Sequence, residues 1–158
     1  MKKLTLILTA VLLLLALTAC GTTYREDVAV SDVIASMKAS TDQENVLAVA
    51  SEDFVTSYMG IDTALCAEYT VMVPDSSTNM DEYAVFKAAD EEKVAELKAQ
   101  VDAYLQMRND AWMPEYLPDQ YPKIKNAESQ QAGLYVAYTI LGDDYRSGAV
   151  AAFYEALK

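Results

Sequence analysis

The groups of this chain that could do chemistry are two cysteines, 24 carboxylates, a Tyr83–Lys87 pair and an acidic run from Asp75 through Ser77 and Asn79 to Asp81. No histidine occurs, so the side chain that most often serves as a base near neutral pH, and most often binds metal, is missing. Tyr83 and Lys87 have the spacing of a dehydrogenase pair, but they fall in a strand pattern with no glycine fingerprint for a nucleotide nearby. The 75–82 stretch begins like a calcium loop. It then puts Met80 where such a loop needs glycine and Phe86 where it needs glutamate, so it reads as a hairpin turn. Carboxylate pairs suited to glycoside hydrolysis sit about 5 to 9 Å apart. With 24 acids, some pair will meet that distance by chance. The sequence therefore assigns no catalytic residue, metal ligand or cofactor. Trp112, Tyr116 and Tyr121 are the remaining candidates. They lie at a helix end and in a proline-rich loop, where stiffly held rings make a binding surface at small entropic cost. The same rings could simply cap the open end of the core.

The first cysteine belongs to a different kind of chemistry. Lys2 and Lys3 precede an uncharged, mostly aliphatic run from Leu4 to Ala19, the layout of an export signal. That run is shorter than the roughly 20 apolar residues a spanning helix wants. It ends in Leu17-Thr18-Ala19-Cys20. "LTAC" resembles the lipobox of bacterial lipoproteins. The resemblance implies a diacylglycerol thioether on Cys20 and cleavage between Ala19 and Cys20. A thiolate is the nucleophile that can accept such a group, and more than one acyl chain is needed for firm anchoring. The expected organisation is a signal peptide over 1–19, a lipidated cysteine and tether over 20–30, and one domain over 31–158. The tether, fully extended, reaches at most about 35 Å, so the domain stays near the outer face of the membrane.

The mature chain of 139 residues suits one domain. It carries 10 Lys and Arg against 24 Asp and Glu, a net of −14. That excess argues against nucleic acid, which is bound by neutralising phosphates, and against lying flat on an anionic bilayer. With Cys20 acylated, Cys66 has no partner for a disulfide and reads as a small buried apolar residue.

Periodicity supplies the elements. Ser31 is the expected cap of a helix burying Val33, Ile34 and Met37, and Ser51 the cap of a short helix ending at Gly60. Residues 66–73 and 82–88 read as a hairpin. Asp90 to about Trp112 reads as a long helix with Val94, Leu97, Val101, Tyr104, Leu105, Arg108 and Trp112 on one stripe. The 113–122 stretch holds three of four prolines and reads as a loop. A second hairpin follows, near 125–130 and 134–141. The final helix, after Gly142, is expected to bury Val150, Phe153 and Leu157. The fold class is therefore α+β, with about four antiparallel strands as two hairpins and the helices packed mainly on one face.

Three stretches, "DEYAVFKA" (81–88), "YLPDQYPKIKNA" (116–127) and "GLYVAYTIL" (133–141), together with the lipobox, resemble a family of small Gram-positive lipoproteins that carry a domain of unknown function. The resemblance runs from about residue 28 to the end. It implies an exported, lipid-anchored protein and brings no catalytic residues. The expected function is non-catalytic binding or assembly at the cell envelope, through a partner protein or a wall glycan. The alternative is a wall-glycan hydrolase using paired carboxylates.

Overall fold

The computed structural model describes residues 23–113 and 115–158; Ala19 and Cys20, the expected cleavage and lipidation positions, lie outside them. The described elements, in order, are α1 (Val30–Lys38), β1 (Leu47–Val49), β2 (Cys66–Pro74), β3 (Glu82–Ala88), α2 (Glu91–Asp110), α3 (Tyr121–Lys125), β4 (Glu128–Ala132), β5 (Tyr135–Ile140) and α4 (Asp143–Ala156). The α+β class holds, and both expected hairpins form. A fifth strand, β1, joins them in a fully antiparallel sheet of order β1-β2-β3-β5-β4. Three residues long and at the edge, β1 is too short to produce a readable alternation.

The helices are not packed mainly on one face. One face of the sheet, with Met72, Tyr83, Val85, Tyr135 and Ala137, packs against Val33, Ile34 and Met37 of α1 and Ala149 and Phe153 of α4. The other, with Val71, Ala84, Phe86, Val136, Tyr138 and Ile140, packs against Val94, Leu97, Val101 and Tyr104 of α2. The central strands are therefore apolar at both parities: every residue of β5 and all of β3 but Lys87 is buried. A sheet with helices on one side would leave one parity polar, and "YAVF" and "YVAY" do not.

Local chemistry explains several boundaries. Asp90 caps α2, its side chain accepting from the Lys93 N–H, with Glu91 and Glu92 at the positive end. Ser31 does not cap α1, which begins one residue earlier at Val30. The Val30 N–H is instead satisfied from across the fold by Glu68 Oε2 at 2.9 Å. Ser51 does cap its segment, accepting from the Phe54 N–H, but Phe54–Tyr58 is wound as a π turn. Gly60, at φ +71°, then reverses the chain where a side chain would be strained. In α4 the inward positions are Ala149 and Phe153, followed by Leu157; Val150 is only half-buried. The loop expected over 113–122 ends in the one-turn α3, with Pro122 in its first turn, where its missing N–H does no harm.

The segment read as a tether is docked from Tyr24 onward. The Arg25 N–H donates to the Leu157 carbonyl at 2.8 Å, the Tyr24 ring lies 5.9 Å from that of Tyr154, and buried Tyr135 donates to the Val28 carbonyl at 2.6 Å. Val28 and Val30 are core residues. The chain thus joins the domain at the pole that also holds Gly133 and the end of β3.

Candidate functional site

At the opposite pole, where β3 begins and α2 ends, a charged cluster is buried beneath a groove. Glu82 is the first residue of β3 and shares a parity with Ala84 and Phe86, so it points at α2. Only 2% of it is exposed. Its Oε1 accepts from Tyr104 at 2.7 Å and from the Tyr138 hydroxyl. Its Oε2 pairs with Arg108 Nη1 at 2.6 Å, and the same nitrogen donates to the Tyr104 hydroxyl at 2.5 Å. Arg108 lies four residues after Tyr104, one helical turn on, with its guanidinium 5.6 Å from that ring. Burial, and then the Glu82 charge, push the phenols of Tyr104 and Tyr138 well above the ordinary tyrosine range. Burial opposes the Arg108 charge, but Glu82 and Tyr104 outweigh it and hold the guanidinium more firmly protonated than usual.

Above this floor lies an open groove of about 470 Å³, with Phe54, Tyr58, Val73 and Met80 among its walls and Glu82 and Arg108 at its base. The π turn supplies Phe54 and Tyr58, whose rings are 4.9 Å apart, and Tyr58 meets Tyr104 edge-on. The β2–β3 loop supplies Met80, whose N–H donates to Gln120 Oε1 at 3.3 Å. Beside it, Asp81 pairs with Lys123 at 2.6 Å and accepts from Asn45 Nδ2 at 2.7 Å, tying the start of β3 to α3 and to the loop after α1. A smaller cleft continues the groove between Tyr58, Met80, Arg108 and Trp112.

The three aromatic candidates are brought together here. Trp112 lies 6.1 Å from Tyr121, nearly parallel at 13°, and 6.2 Å from Tyr116, tilted at 52°. Trp112 is half-buried against the core, and its Nε1 has no hydrogen-bond partner among the described residues. The exposed members of the patch are Tyr116 at 49%, Tyr58 at 51% and Met113 at 65%. Tyr116 precedes Leu117, which holds a left-handed φ of +48°, an unusual conformation for a residue with a branched side chain. Within the cluster Trp112 and Tyr121 pack against each other, and Tyr116 is exposed.

The other sequence candidates fall elsewhere. Tyr83 and Lys87 share one face of β3 but are four residues apart on an extended strand, roughly 13 Å. Tyr83 is core, and the Lys87 ammonium sits 5.5 Å from the Tyr135 ring. Asp75 is exposed in a turn held by its neighbours' own side chains, with Asn79 Oδ1 accepting from the Asp81 N–H. No cluster of three or more carboxylate or thiol groups among the described residues is placed to hold a metal ion. Burial pushes the half-buried Cys66 thiol up to about 11, far from a reactive thiolate. Lys98 Nζ lies 2.8 Å from both Ser129 Oγ and Asp102 Oδ2, and the serine donates to Asp102. The group ties α2 to β4.

Glu82 and its phenol partners were not singled out by sequence reasoning. The available signal was Arg108 on the apolar stripe of α2: a cation on a buried face needs a carboxylate opposite it.

What these elements define is a small α+β domain with a buried ion cluster under an aromatic groove. The chain belongs to the family described as a domain of unknown function, DUF4358, which it matches over residues 39–141. No curated protein and no solved structure matches it. The matched stretch takes in the whole sheet, α2 and the groove; α1 and α4 fall outside it.

Proposed function

We propose that this protein is an extracytoplasmic lipoprotein, held at the outer face of the membrane by lipid on Cys20, whose domain binds an envelope component without catalysis. The observation that carries the binding role is the exposure of Tyr58, which lines the groove, together with Met113 and Tyr116, the neighbours of Trp112 in the adjoining cleft. Two exposed tyrosines and a methionine close to Trp112 favour a contact surface there. Binding is favoured over hydrolysis because Glu82 is the one carboxylate among the groove's described lining residues, and both its oxygens are engaged by Arg108, Tyr104 and Tyr138. A glycoside hydrolase would need a second acid across the cleft. Membrane attachment is supported by the "LTAC" sequence. No helix among the described residues is long and apolar enough to cross a membrane.

The test is crosslinking in intact cells from a photoreactive residue at position 116, comparing the native anchor with Cys20→Ala and following lipid incorporation separately. One dominant adduct that is lost with the anchor is the expected result. Absence of any adduct from the anchored protein would defeat the binding role, and absence of lipid on Cys20 would defeat the anchor.

A further inference from the structure

We infer that the occupant of the aromatic patch is a basic, apolar segment of another protein, met at the pole turned away from the bilayer. The inference rests on the binding role proposed above and specifies its partner. Orientation comes from the path of the chain. Tyr24 and Arg25 dock beside Tyr154 and Leu157, at the end of the sheet where β3 finishes. The groove floor at Glu82 is the other end of that strand, about 20 Å away at 3.3 Å per residue. All of α2, about 30 Å long, runs between the poles. A lipid three residues before the first described residue therefore holds the far pole outward.

Charge comes from the rim. Asp110, Glu115 and Asp119 are all exposed in the stretch that carries Trp112, Met113 and Tyr116. The two cations built into the site, Arg108 and Lys123, are each neutralised by a buried carboxylate, Glu82 and Asp81. Lys125, two residues on, lines a separate recess with Asp102. No ion pair among the described residues neutralises Asp110, Glu115 or Asp119, so the stretch that presents Met113 and Tyr116 also carries exposed acids. That is complementary to a segment carrying Lys or Arg between apolar residues, and repellent to anionic headgroups. A sugar ring is the poorer fit. It needs an open aromatic face, whereas Trp112 already has Tyr121 nearly parallel to it and Tyr116 against it. The flexible thioether of Met113, 65% exposed, suits an apolar side chain better than a polar ring.

Trp112 is the single tryptophan, so its emission reports on the site alone. The full lipidated protein, in phosphatidylcholine vesicles, is titrated with a short peptide of Lys, Phe and Gly, with the matched Glu peptide, and with an N-acetylglucosamine oligomer. The Lys peptide should shift the emission saturably. Glu115→Lys with Asp119→Lys should weaken that response about tenfold or more. Glu96→Lys with Glu128→Lys, an equal change of net charge on exposed positions of α2 and β4, should leave it within about twofold, and circular dichroism checks that each variant is folded. Equal responses to both peptides, or equal weakening by both variant pairs, overturn the inference. A response to the oligomer alone overturns the partner class while leaving the patch as a binding surface. No response to any probe overturns both.

Discussion

The two faces of the sheet are covered differently. On one, α1 and α4 lie side by side over Tyr83, Val85, Tyr135 and Ala137, and the interior they enclose holds uncharged hydroxyls: Tyr135, which the Val28 carbonyl satisfies, Tyr83, and its cross-strand neighbour Thr139, whose Oγ1 has no partner among the described residues. On the other, α2 stands as the one long helix. Five strands span about 19 Å at 4.8 Å spacing and a helix is about 10 Å across, so one helix cannot cover that face. The remainder is filled by short pieces: the π turn, the β2–β3 loop and α3. They meet imperfectly at one end, and there the groove, the buried ions and the exposed rings all occur. Irregular structure is concentrated where regular structure is too narrow to close the core.

The comparison can be broken most directly by truncation. Phe153→Ala, on the two-helix face, should destabilise by about 3–5 kcal/mol, because it leaves a cavity in a fully buried cluster. Arg108→Leu, on the groove face, should cost a similar amount, about 3–5 kcal/mol, by leaving Glu82 charged and unpaired. The two should differ in rescue. Adding Glu82→Leu, Tyr104→Phe and Tyr138→Phe to Arg108→Leu removes every orphaned polar group and should recover most of the loss, whereas no change of charge rescues Phe153→Ala. Urea midpoints of the set decide it; failure of that recovery would mean the ion cluster is itself the main support of this face.

A smaller effect appears at high pH, where burial raises Tyr83 on one face as well as Tyr104 and Tyr138 on the other. Tyr104 and Tyr138 hold their protons more tightly when folded than when unfolded, as does Cys66 at about 11. Raised folded values stabilise fully below the unfolded pKa, and that stability is lost as pH climbs through the folded one. Stability should therefore fall above about pH 10, by about 1.4 kcal/mol per buried tyrosine one unit beyond it. Urea titrations across that range should show the fall flatten in a Tyr104→Phe, Tyr138→Phe protein; an unchanged slope would assign it to other groups.

The smallest contrast concerns the helices' first turns. Asp90→Ala should cost about 1 kcal/mol, since its carboxylate caps α2. Ser31→Ala should stay within about 0.5 kcal/mol, because the start of α1 is satisfied by Glu68 instead. Equal losses in thermal melts would return the cap to Ser31.

The α2 stripe of Val94, Leu97, Val101, Tyr104 and Leu105 was legible because a helical face repeats every three to four residues and owes nothing to the rest of the chain. The two hairpins were legible for a similar reason, each being a local pair joined by a short connection. Gly133, at φ +54°, opens the two-residue loop between β4 and β5, as such a turn requires. The second covered face was written in the sequence and misread. "YAVF" and "YVAY" are apolar at both parities, and only burial on both sides explains that. The aromatic candidates were legible as types near a helix end, but which ring packs and which is presented was not, since exposure depends on what lies opposite.

By itself, then, the sequence determined the basic start and uncharged apolar run ending at Cys20, the acidity, the want of histidine, and the kind and order of the main elements, because each is a property of one residue or one local repeat. Tertiary structure alone decided that Glu82 meets Arg108, Tyr104 and Tyr138, that Glu68 reaches the start of α1, and that the rings gather at the pole opposite Tyr24. Those meetings join residues 4 to 56 apart in the chain, most of them from different elements, and short-range pattern carries no information about which distant groups packing will bring within bonding distance.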